Sequence, residues 1–105
     1  MNGDSSEGRL PGEDLVEQGL ADLARGVVSE CSLLLLVAGP RLRRLGIQVP
    51  ELPISQPYEH ALYSLIEQRL DAGAHSFYNS LLRRIDSYAH ALEREQSRAE
   101  GKKIE

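Results

Sequence analysis

Phe77, Tyr78, Leu81, Leu82, Ile85, Tyr88, Ala89 and Leu92 follow one another at steps of one or three residues. At about 100° of turn per residue, this rhythm holds all eight on a single arc of an α-helix. The chain therefore has to bury a long helical stripe, which makes its fold an all-α packing problem. Tyr58, Ala61, Leu62, Leu65, Ile66 and Leu70 form a second stripe that opens after Pro57, a residue suited to a helix start, with Glu59 in the first turn. Asp71-Ala72-Gly73-Ala74 reads as a tight break between the two. So short a connection predicts antiparallel neighbours, a helical hairpin.

Residues 13–38 read as one further helix, with Glu13, Asp14 and Glu17 in its first turns, where negative charge suits the helix dipole. Leu20, Val27 and Leu34 recur every seven residues, and Ala24, Cys31 and Ala38 recur beside them. Gly26 is placed to bend or split this helix. The run Leu33-Leu34-Leu35-Leu36-Val37 is apolar all round and so must be covered on more than one side, by the core or by a partner. Gly39-Pro40 stops the helix, and Arg41–Leu45 makes one short turn closed by Gly46. Pro50, Pro53 and Pro57 then punctuate an extended connector carrying Ile47, Val49, Leu52 and Ile54, which are expected to lie across the helices.

The expected fold is a small all-α domain of three to four helices over residues 13–98, with a C-terminal antiparallel hairpin and a Pro-containing extended crossover. Residues 1–12 and 99–105 read as disordered tails, the first acidic.

Composition narrows function mainly by exclusion. The chain has 105 residues, enough for one modest core, and its net charge is −4. Seven acidic residues stand against two arginines in the first thirty positions, and the remainder is nearly balanced. That distribution disfavours nucleic-acid binding through phosphate neutralisation. Cys31, the single cysteine, cannot form an intrachain disulfide. No apolar run approaches the roughly 20 residues of a membrane span, and Met1–Glu7 lacks the basic start of a signal peptide. A cytoplasmic protein with no cofactor is the expectation.

Tyr58-Glu59-His60-Ala61-Leu62 and Tyr88-Ala89-His90-Ala91-Leu92 share the pattern Tyr-x-His-Ala-Leu. The matched histidines invite a metal-binding or small-ligand reading. Each lies about 200° round from its tyrosine, however, and so points away from the seam. A surface site from His60, Glu67 and Asp71 competes with a solvated face of local ion pairs, which is the stronger reading. The sequence has no ExxH, CxxC or HxxxH pair. No nucleophile elbow or phosphate loop is present either.

Arg69 and His75, separated by five residues, resemble the spaced Arg…His motif of small helical ribonucleases of the HEPN type. The resemblance implies that Arg69 and His75 would act together on RNA. The competing reading is an arginine at a helix C-terminus and a histidine in a turn. Arg41, Arg43 and Arg44, with Arg83 and Arg84, are expected to pair with the chain's own acidic N-terminal helix. Tyr63 and Tyr78 sit at the stripe edges, which suits an interface or a core margin.

The leading expectation is a non-enzymatic interaction protein, an adaptor, assembly factor or small regulatory subunit, that binds a protein partner or a second copy of itself. Leu33, Leu36, Val37, Leu42, Leu45, Leu52 and Ile54 form its expected contact surface.

Overall fold

The computed structural model describes residues 10–54 and 57–104, with side chains through Arg98. Those residues hold five helices and no strand: α1 Glu13–Ala24, α2 Glu30–Val37, α3 Gly39–Arg44, α4 Tyr58–Leu70 and α5 Ala74–Ile104. Among the described residues no helix is long and apolar enough to cross a membrane.

The expected single helix over 13–38 is two helices. Gly26 adopts φ +72°, the left-handed conformation that ends a helix at little cost only in glycine. The N–H of Val27 reaches back to the Asp22 carbonyl and that of Gly26 to Leu23, so the last carbonyls of α1 are satisfied as the chain turns. Ser29 then starts α2. Its hydroxyl accepts from the Ser32 N–H, while the Ser32 hydroxyl accepts from the Ser29 N–H, a reciprocal cap. The two heptad seams drawn across 20–38 are therefore not continuous.

α2 is the hub, packed against α1, α3, α4 and α5. This explains its composition. Leu33, Leu34, Leu35 and Leu36 are each no more than 2% exposed because a neighbour lies on every side. Each such leucine contributes about 1.5–3 kcal/mol through burial. Leu62 and Ile66 of α4, Leu81, Ile85 and Tyr88 of α5, Val16 and Leu23 of α1, and Leu42 of α3 also belong to the core. α1 approaches α2 closely at Gly19, where a Cβ would stand 2.6 Å from Leu35 Cγ and 2.8 Å from the Cys31 carbonyl oxygen.

Residues 45–54 contain no helix, and Val49 and Leu52 are buried there. The segment is held by Arg43, which donates to the Val49 carbonyl at 2.7 Å, and by Gln96, which donates to that of Leu45 at 2.7 Å. Of the tails, 1–9 and the side chains of 99–105 lie outside the described residues. Leu10 packs on the core margin, and Gly12 sits against the Arg84 carbonyl, so 10–12 belong to the folded part.

Candidate functional site

The bend between α2 and α3 opens a groove against α5. Ala38 ends α2 and starts α3, and Pro40 occupies the first turn of α3, where its missing N–H leaves no bond unmade. The bend exposes one flank of Val37, Ala38 and Pro40 to α5, which supplies Leu82, Ile85, Asp86 and Ala89. The resulting cavity is about 310 Å³, apolar along its floor, with Arg41 and Arg44 at its rim. That size is at the small end of ligand clefts and has room for a few side chains.

The two arginines are in different states. Arg41 Nη1 donates to Asp86 Oδ1 at 2.6 Å and Nη2 reaches Glu93 Oε1 at 3.5 Å, clamping α3 to α5 across the groove. The hydrogen bond to Asp86 foremost, and then the charge of Glu93, holds Arg41 more firmly protonated than usual. His90 joins the same network, 3.5 Å from Asp86 and 3.8 Å from Glu93. Arg44 is exposed and has no ion-pair or hydrogen-bond partner among the described residues.

The structure redistributes the residues expected to form a contact surface. Leu33, Leu36, Leu42 and Leu52 lie inside the core, none more than 6% exposed, and cannot meet a partner without unfolding. Their sequence signal was surplus apolarity, and the chain's own helices absorb it. Val37, Leu45 and Ile54 are half-buried, and Val37 alone of these seven lines the groove. Leu82 and Ala89, seven residues apart on the flank of the α5 stripe, line the groove as well as serving the core: Leu82 packs against it and Ala89 is only 2% exposed. A stripe of eight residues is wider than one buried face needs, and that excess width was the available signal.

Arg69 and His75 make separate sets of contacts. Arg69 donates to both Glu30 carboxylate oxygens, at 2.8 and 2.9 Å, and its guanidinium lies 5.0 Å from the centre of the Phe77 ring. His75 instead stands edge-on to Tyr63, with centroids 6.4 Å apart, and accepts from the Asn79 amide at 3.1 Å. His75 and Phe77, two apart on α5, point to different sides of it, so each member of the pair serves a different side of the helix. Of the arginines expected to pair with the acidic N-terminal helix, Arg84 does so, 3.4 Å from Asp14. Arg43 pairs with Glu51 at 3.8 Å and Arg41 with α5. Among the described residues no three of His, Cys, Asp and Glu converge in a way that could hold a metal ion.

Compared with protein-family models, with curated proteins and with solved structures, the chain matches none.

Proposed function

We propose that this chain is a non-enzymatic interaction module, an adaptor, assembly factor or small regulatory subunit, whose groove between α3 and α5 receives an amphipathic helix of a partner protein. The observation that carries the reading is the groove itself: an apolar floor shared by two helical elements, with Arg44 unpaired at its edge. A helix laying apolar side chains between two others is a recurrent mode of recognition. The rim selects the partner's charge. Arg41 is already neutralised by Asp86, and Arg44 is left to attract a carboxylate.

The reading takes α4 and α5 as an antiparallel hairpin and the Pro-bearing segment as a crossover beneath it. The three-residue break at 71–73 supports that frame, as do the contacts of Tyr63 with Tyr78 and of Arg69 with Phe77. Nucleic acid fits the groove poorly, because Asp86 sits in it and only one arginine is uncommitted. A cytoplasmic location belongs to the same proposal.

Size-exclusion of native extract tests it. Wild-type protein should elute well above its own 11.6 kDa. The folded variants Arg44→Glu and Leu82→Ser should elute as free chain. If purified protein is itself a dimer that Arg44→Glu dissociates, the occupant is a second copy and the partner reading is wrong. If all three proteins elute as monomers, the groove is not an interface.

A further inference from the structure

A second cavity, of about 450 Å³, opens on the surface between α4 and α5 and is lined by Glu59, His60, Tyr63, Ser64 and Tyr78. It shares no residue with the α3–α5 groove. The Tyr63 and Tyr78 rings meet edge to face, with centroids 5.3 Å apart and planes at 83°, so they form two walls near a right angle. His75 stands edge-on to Tyr63, and Asn79 in turn holds His75. Glu59 and Tyr78 line the same cavity, and burial, and then the negative charge of Glu59, pushes the Tyr78 phenol above its ordinary pKa. Among the described residues the Glu59 side chain makes no hydrogen bond or ion pair, and no lysine or arginine lines the cavity.

α4 and α5, together with Glu30 of α2, hold a finished example of what such a set of groups recognises. Around Arg69, one carboxylate, Glu30, takes both N–H donors of the guanidinium, and one aromatic ring, Phe77, takes its face. Glu59 with Tyr63 and Tyr78 presents those two elements again, a carboxylate beside aromatic rings, and this time outward. The negative face of an aromatic ring attracts a cation, and a planar guanidinium can stack on a ring while donating two parallel hydrogen bonds to a carboxylate. A lysine ammonium is more strongly hydrated and has no plane to stack.

We propose that Glu59, Tyr63 and Tyr78 form a binding site for an arginine side chain of a partner protein. Glu59 accepts the guanidinium N–H groups, and the tyrosine walls hold its face and its aliphatic stem. The site would reject acidic side chains, because Glu59 meets them with like charge.

A nuclear magnetic resonance titration with Nα-acetyl-arginine amide tests this, with Nα-acetyl-citrulline amide as the uncharged isostere. The arginine compound should give saturable shifts confined to Glu59, Tyr63, Tyr78 and their neighbours, and citrulline should bind about tenfold more weakly or not at all. Glu59→Gln, which keeps the shape of the side chain, should weaken arginine binding by about tenfold while leaving the rest of the spectrum in place. Arg44→Glu, in the other groove, should change nothing here, so this site and the proposed partner groove stand or fall separately. Absence of saturable shifts, equal response to citrulline, or a Glu59→Gln protein that binds like wild type would each overturn the proposal.

Discussion

The Ser29 hydroxyl donates a 2.7 Å hydrogen bond to Asp22 Oδ2, tying the cap of α2 to the last turn of α1. The same carboxylate accepts from Gln18 at 3.0 Å and Arg25 at 3.1 Å, and the residue is only 5% exposed. One acidic residue thus fixes the turn that splits the N-terminal region into two helices. The hydrogen bond from Ser29, ahead of those from Gln18 and the charge of Arg25, holds the Asp22 carboxyl below its ordinary value of 3.8.

That depression sets a pH dependence. A carboxyl with a lower pKa in the folded chain binds its proton more readily when unfolded, so its contribution to stability is complete above 3.8 and is lost as pH falls toward the folded value. Asp22→Asn should be less stable than wild type near neutral pH, and the gap should narrow below 3.8. Urea midpoints of both proteins across acid pH check this. A gap independent of pH would contradict it.

Gly19→Ala tests how closely α1 and α2 are packed. Alanine should favour an isolated helix by about 1 kcal/mol. Here the new methyl would collide with the Cys31 carbonyl oxygen as well as Leu35, and a backbone oxygen cannot rotate away. Forcing the helices apart costs about 1–3 kcal/mol, so the net effect should be destabilising. Thermal or denaturant unfolding reads the sign directly.

Cys31 should be a slow thiol. Burial first, and then the charges of Asp22 and Glu30, pushes its pKa above 9.0, so little thiolate is present at neutral pH. Its reaction with a disulfide reagent at pH 8 should lag well behind that of a small free thiol and catch up only in denaturant. A native rate equal to the denatured one would show that the helix does not shield it.

The Arg69–Glu30 pair should register as a structural contact. Arg69 is half exposed, so Arg69→Lys, which loses the two-pronged bond and the ring stacking, should cost only about 0.5–1 kcal/mol. Wild type and His75→Ala should show the same background toward RNA, since His75 and Arg69 engage different neighbours. A drop in RNA cleavage on His75→Ala would reinstate the ribonuclease reading.

Much of the helical arrangement was legible in the sequence. The stripes at 58–70 and 77–92, the break after Leu70 and the start after Pro57 all follow from periodicity and from residues that open or close helices. The outward aim of His90 followed from the same geometry, and its ring nitrogens lie 3.5 Å from Asp86 and 3.8 Å from Glu93. The turn at 25–29 was half legible. Gly26 announced a disturbance, but the cap that makes it a full reversal depends on two serines three apart, Ser29 and Ser32, embedded in an apolar run. The site was least legible. An all-round apolar helix such as Leu33–Leu36 looks the same whether its own chain or a partner covers it, and only the positions of α1, α4 and α5 decide. Tyr63 and Tyr78 belong to different stripes, and nothing in either one says that they meet.

The central claim is that the groove between α3 and α5 is where this chain meets a partner. Site-specific photocrosslinking in cells tests it most directly, with the reactive residue placed in turn at Pro40, at Leu82 and at Ala21, which is exposed on α1. One adduct should form from both Pro40 and Leu82, not from Ala21, and should disappear when Arg44→Glu is added. Equal adducts from all three positions, or a groove adduct indifferent to Arg44→Glu, would contradict the account.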